Sequence, residues 1–216
     1  MNTYTDAYSQ SISMSADTTF PSLCQKISAL SAAKDHLIIA IDGRCTSGKT
    51  TLAAQLKEAF QCNVIPMDHF FLQPHMRTKE RLATPGGNVD YERFLEEVLL
   101  PLHEGTAFSY RPFNCHIQLP VTDAPHQFTA GFEAPITVKP ASITIIEGSY
   151  SCHPALYDYY DYRIFLTTSY ENQLERIRLR NGEDALPAFI RKWIPLEELY
   201  IKEMHVPEKC DQCIYT

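Results

Sequence analysis

The chain has 216 residues, a formal net charge of −7 and a sequence pI near 5.6. That length suits one α/β domain able to bury its core without disulfides or a structural metal. The acidic balance leaves no electrostatic footprint for nucleic acid or an anionic membrane, so a small anionic ligand must be met by a local cluster of arginines. No apolar stretch approaches the ~18 residues of a membrane helix. The Ser/Thr-rich start lacks the basic-then-apolar order of a signal peptide, so the expected location is the cytoplasm. Seven cysteines, an odd number without even spacing, are expected to be free thiols. Cys210 and Cys213, with His205 upstream, have the spacing of half a zinc site, but a second pair is missing.

In chain order, residues 1–19 are polar and aperiodic and read as a mobile tail ahead of a single domain over 20–216. Leu23, Ile27 and Leu30 give Phe20 to Ala33 the spacing of an amphipathic helix. Leu37 to Ile41 is an apolar, β-rich run ending at Asp42. Thr51 to Phe60 is a helix pattern with Leu52, Leu56 and Phe60 on one face. Cys62 to Met67 is a short strand that delivers Asp68-His69-Phe70-Phe71, and Arg77 to Val89 is a loop or short helix punctuated by Pro85-Gly86-Gly87. Tyr91 to His103 is a helix with Phe94, Leu95, Val98 and Leu102 inward.

Between Phe108 and Pro140 the pattern turns short and proline-broken, which reads as an insertion of small strands beside the functional site. Ser142 to Ile146 is a continuous apolar run ending in Glu147-Gly148, the look of a strand covered on both sides. Tyr162 to Thr167 is another such strand, Tyr170 to Arg180 a helix, Leu186 to Met204 a helical segment interrupted at Pro195, and Gln212 to Tyr215 a last strand. This alternation predicts a parallel sheet with helices on both faces.

Between the first strand and its helix stands Gly43-Arg44-Cys45-Thr46-Ser47-Gly48-Lys49-Thr50, a complete G-x-x-x-x-G-K-[ST] run with Thr51 opening the helix. Glycines let consecutive backbone N–H groups curl toward an anion, and the helix presents its positive end to the same anion. Lys49 then reaches the terminal phosphates of a nucleotide such as ATP, and the Thr50 hydroxyl can ligate Mg²⁺. A second acidic contact to the metal shell is needed, and Glu147 closes an apolar strand where an uncompensated charge would cost several kcal/mol.

Asp68, just after the second strand, is placed either to take a proton from an attacking hydroxyl or only to cap the following turn. Arg176 and Arg180 share a helix face. Ahead of the flexible Asn181-Gly182-Glu183-Asp184 they read as a lid, over about 176–195, that folds onto phosphoryl charge.

These features, with Asn88-Val89-Asp90-Tyr91, occur in an order that resembles the uridine kinase-like P-loop kinases, a group that includes nicotinamide riboside and pantothenate kinases and phosphoribulokinase. The resemblance runs from about Leu37 onward. It implies a P-loop NTPase fold with a substrate-side strand insertion and a lid, ATP and Mg²⁺ as cofactors, and a nucleoside or similar ribose-bearing acceptor. It implies Asp68 as general base, Glu147 in the metal shell and Asp90 on substrate hydroxyls, and it leaves a homo-oligomer open. Tyr110, Phe113 and His116 lie where that group reads the base, with Arg111 among them as an acceptor contact. Their spacing differs, and Tyr110 and Phe113 equally suit hairpin packing. Arg180 leads into Asn181-Gly182 rather than the longer arginine-rich lid of uridine kinases. A GTPase would need an N-K-x-D motif, which is absent; the rival class is an ATPase or regulatory nucleotide-binding module without an acceptor.

Overall fold

Alternate residues of one central strand feed two separate cores. In β1 (Leu37–Gly43), Leu37, Ile39 and Ile41 enter one apolar cluster and Ile38 and Ala40 the other, as the two-residue period of a strand dictates. The structure, a computed structural model, describes residues 19–114 and 131–216. The expected tail before Thr19 lies outside the described residues, as do His116 and Cys115 in the expected insertion.

Helix α1 (Phe20–Ser31) is capped by Thr19, whose hydroxyl accepts from Ser22 N–H, and buries Leu23 and Ile27 under the sheet. After β1 the chain turns into α2 (Lys49–Phe60), which packs Ala53 and Leu56 on the same face. β2 (Asn63–Pro66) runs into a 3₁₀ turn at Met67–Phe70 and, after the short α3 (Lys79–Ala83), a helix α4 spans residues 91–104. Phe94, Val98 and Leu99 of α4 pack on the opposite face of the sheet. The expected excursion is present as an antiparallel pair, β3 (Phe108–Tyr110) and β4 (Ile136–Val138), ended after Tyr110 by Pro112.

β5 (Ile143–Glu147) and β6 (Tyr162–Thr167) flank β1, and α5 (Tyr170–Asn181), α6 (residues 186–203), α7 (Val206–Lys209) and β7 (Gln212–Tyr215) complete the chain. The sheet order is β2-β5-β1-β6-β7, all parallel, with Ile41 beside Glu147 and Gly43 beside Leu166. The carboxyl ends of β1, β2 and β5 therefore deliver their following loops to one edge, where ligands of such sheets bind.

One expectation needs correcting. Pro195 does not interrupt the helix. A π turn at Phe189–Trp193, closed by Ile194 N–H to Phe189 O, widens α6 just before the proline. The same device, Leu95–Leu99, precedes Pro101 in α4. A proline removes one donor and crowds the carbonyl a turn back, and a wider turn relieves both without ending the helix.

Candidate active site

The loop from Gly43 to Lys49 is shaped by close approach. Gly43 has φ +142°, and a Cβ there would sit 2.0 Å from the Leu166 carbonyl oxygen, so no other residue fits. Gly48, at φ +93°, N-caps α2 with open space around the position a Cβ would take. Thr46 also adopts the left-handed region. Ser47 Oγ is buried and has no hydrogen-bond partner among the described residues. A buried orphan hydroxyl at the start of a twelve-residue helix suits an anion, because it and the free first-turn amides all need an acceptor. Lys49 is 8% exposed and donates to the Gly43 and Arg44 carbonyls, both at 2.8 Å, within its own loop.

Thr50 Oγ1 donates to Glu147 Oε2 at 3.1 Å and Oε1 at 3.3 Å. Burial and then the nearby Asp68 charge push the Glu147 carboxyl up, against Lys49 and the Thr50 hydrogen bond. A hydroxyl and a carboxylate set side by side are hard oxygen donors, and the pair fits Mg²⁺, which keeps several waters and takes few protein ligands. Asp68 reaches the same place from the turn after β2. Its Oδ1 lies 3.5 Å from where a Cβ on Gly148 would be, its side chain is exposed, and the turn has no side-chain cap. No described residue gives Asp68 a hydrogen bond or ion pair. Lys49, Thr50, Glu147 and Asp68 thus stand together.

The other expected residues are spread out. Asp90 is 4% exposed, N-caps α4 through Arg93 N–H at 3.1 Å and lies 3.6 Å from Arg93 Nε. The Tyr110 hydroxyl meets His69 Nδ1 at 3.1 Å and its ring packs on Phe70. Burial pushes that phenol up to about 12. Phe113 meets Phe132 edge-on at 5.4 Å, and Arg111 lies over Phe132 while donating to the Glu133 carbonyl. Arg176 and Arg180 take different hydrogen-bond partners, although one helix carries both and the Arg180 charge is also felt at Cys45 of the loop. Arg176 donates to Thr46 O at 3.3 Å and Thr216 Oγ1 at 2.9 Å, bracing the loop, whereas Arg180 is exposed and bonds Asn181 Oδ1. Thr51 lines a cavity.

That cavity, about 470 Å³, opens between Thr46-Ser47-Gly48 and Phe20, Leu52 and Ile214, with Arg176 at its wall. Sequence periodicity places Phe20 and Leu52 on helices but not in a shared hollow. Asp42 closes an apolar strand just as Glu147 does, and the sequence pattern gives it no separate role. Fully buried, it accepts from Gly43 N–H at 2.6 Å, Tyr150 N–H at 3.0 Å, Cys152 N–H at 2.8 Å and the Tyr200 hydroxyl at 2.7 Å. These bonds hold Tyr150 at φ +75°, a strained conformation for an aromatic residue. Glu197 and Glu198 of α6, which touch the loop, carry no signal in the sequence beyond an ordinary helix pattern.

The described cysteines are free thiols. Cys210 Sγ lies 3.9 Å from Cys152 Sγ, and Cys213 Sγ bonds the Pro207 carbonyl, so the two thiols of the half zinc spacing face different partners. Among the described residues no group of three metal-ligating side chains forms, and no helix is long and apolar enough to cross a membrane.

No protein-family model and no curated protein matches the sequence. Among solved structures, the chain is similar to a possible uridine kinase from Bacillus stearothermophilus, with a TM-score of 0.63 at 18% identity over 90% of this chain and 96% of that one. A Thermus thermophilus protein, TT1252, aligns with a TM-score of 0.44 at 16% identity over 85% of this chain and 90% of that one. Shikimate kinase from Bacteroides thetaiotaomicron aligns at 0.38 and 17% identity over 83% and 86%. The first of these likenesses, together with the parallel sheet and the glycine loop, establishes the α/β P-loop NTPase fold.

Proposed function

We propose that the chain is an ATP-dependent small-molecule kinase that moves the γ-phosphoryl group to an alcohol, a nucleoside or similar ribose-bearing compound. The observation that carries this is the meeting of Lys49, Thr50, Glu147 and Asp68 at one edge of the sheet. The likeness to a possible uridine kinase, at 18% identity, supports it. In this reading the backbone from Gly43 to Thr51 cradles the phosphates, with the Ser47 hydroxyl as a further donor. The neighbouring cavity takes the base, with Phe20 and Leu52 as its apolar walls and Arg176 beside them. Thr50 and, through water, Glu147 would hold Mg²⁺, which supplies charge neutralisation at the phosphoryl oxygens when bound.

Lys49 leaves the Gly43 and Arg44 carbonyls for the terminal phosphates, since a charge-assisted bond to phosphate is the stronger one. Asp68 accepts the proton of the acceptor hydroxyl as the new P–O bond forms and the bond from the γ-phosphorus to the β,γ-bridging oxygen breaks, ADP leaving with that oxygen. Having no partner of its own among the described residues, it has nothing to release first. Asp90 and Arg111 are proposed to touch the acceptor from the α4 and β3 side, and Arg180 to close over the phosphoryl group. An occupancy sensor has no use for a carboxylate held open at Asp68, and an ATPase would aim it at water rather than at an alcohol.

ADP release measured with and without a panel of nucleosides and related alcohols tests the proposal. Acceptor-dependent release is expected; hydrolysis indifferent to every acceptor would overturn it. With the best acceptor, Lys49→Ala should abolish transfer, and Asp68→Asn should lower kcat on the order of 10² or more with ATP affinity kept.

A further inference from the structure

Helix α6 grips the phosphate loop through charges that the reaction does not use. Both oxygens of Glu197 accept from Cys45 N–H, at 2.8 and 2.9 Å; Ser149 Oγ donates to Oε1 at 2.7 Å and Gln173 Nε2 to Oε2 at 3.2 Å. The next residue, Glu198, takes Arg44 in a fork, Nε at 2.6 Å and Nη2 at 2.9 Å. One turn along, Tyr200 donates to Asp42 at 2.7 Å. Three residues of one helix thus hold positions 42, 44 and 45 of the strand and loop, and Glu197 also holds position 149, two residues beyond Glu147.

Glu197 is 4% exposed, and removing a carboxylate from water is costly unless its lone pairs are used. Here they are. An amide, a hydroxyl and a carboxamide converge on it from β1's loop, β5's loop and α5, and only a carboxylate, acceptor at every lone pair, satisfies all three. Its hold on Cys45 N–H leaves the rest of the cradle, the Ser47 hydroxyl and the first-turn amides of α2, to the phosphates.

We infer that Glu197 is a positioning residue: it ties the first half of the phosphate loop to the loop after Glu147, so that the nucleotide cradle and the Thr50–Glu147 pair are held in one rigid arrangement before ligand arrives. The role for nucleotide rests on the kinase reading above; the rigidity does not. Preorganisation of this kind acts on ligand affinity, because a loop already shaped loses less freedom on binding.

Hydrogen–deuterium exchange of the full chain separates the two. In Glu197→Gln, peptides covering 43–50 and 148–152 should exchange faster on the order of ten-fold, since the neutral amide offers one acceptor where three donors point. Ser149→Ala, which removes one donor and keeps the carboxylate, should move the same peptides in the same direction by less. Steady-state kinetics should show KM for ATP rising about ten-fold in Glu197→Gln with kcat changed less than about three-fold. Exchange matching the wild type in both variants overturns the inference, whatever the turnover. Faster exchange with KM and kcat both unmoved overturns it too, reducing Glu197 to scaffold. Faster exchange in a chain whose wild type shows no acceptor-dependent turnover upholds the positioning role and removes the kinase assignment alone.

Discussion

β1 and β5 lie side by side in the sheet, and each closes an apolar, fully buried run with a carboxylate, yet Asp42 and Glu147 meet different surroundings. Asp42 is enclosed by four donors, three of them backbone amides of the P-loop entry and the 148–152 loop. Glu147 has the Thr50 hydroxyl as its hydrogen-bond donor, Asp68 as a repelling neighbour and Lys49 nearby as a cation. A carboxylate saturated by fixed backbone donors organises structure, whereas one facing a hydroxyl and another carboxylate at a loop mouth is short of positive charge and suits a metal. Strand position alone does not separate the two. The partners do.

The comparison breaks most visibly on stability. Asp42→Asn turns an NH₂ toward backbone N–H groups and leaves at least one buried donor unsatisfied, so a loss of about 3–5 kcal/mol is expected in chemical denaturation. Glu147→Gln should do the reverse. Its carboxylate has a hydroxyl as donor and Asp68 as a repelling neighbour, so a neutral amide leaves no backbone N–H orphaned and the melting temperature should hold or rise, while turnover falls on the order of 10²–10³-fold, about 3–4 kcal/mol of barrier, measured at saturating ATP and Mg²⁺. If both variants lose stability equally, the distinction drawn here is wrong.

A smaller, pH-dependent effect comes from the far end of the loop that Asp42 holds. His153 is stacked on Tyr91 at 4.0 Å, and burial, then the Arg81 charge, lowers its imidazole from the ordinary 6.5 to about 4. The unfolded chain therefore takes up a proton near pH 6.5 that the folded chain refuses until about pH 4. Stability is lost as pH falls across that window, by about 3 kcal/mol at its lower end. Buried carboxylates raised by desolvation, Asp42, Glu147 and Glu197, push the other way. The measurement is thus a difference: denaturation of wild type and His153→Asn at pH 7, 5.5 and 4 should converge as pH drops.

The smallest expected change concerns the cavity. Phe20→Ala removes part of an apolar wall and should raise KM for ATP a few-fold, about 1 kcal/mol, with kcat unchanged. An unaltered KM would take the base out of that hollow.

Local periodicity and one glycine-lysine motif were enough to place the strands of the parallel sheet, the loop between β1 and α2, and Lys49, Thr50, Glu147 and Asp68 near its edge. Those inferences depend on patterns of two and 3.6 residues and on phosphate chemistry, which are properties of neighbours in sequence. The path of the chain through Pro195 departs from the expected break because a π turn, which has no composition of its own, absorbs the proline. What periodicity left open is long-range. It did not distinguish Asp42 from Glu147, part Arg176 from Arg180, or show that Asp90 caps a helix and pairs with Arg93. Nor did it bring Glu197 onto Cys45 from 152 residues away. A side chain's role depends on the donors and charges that surround it, and here those arrive from α5, α6 and the 148–152 loop, which only the packed sheet brings to the same edge.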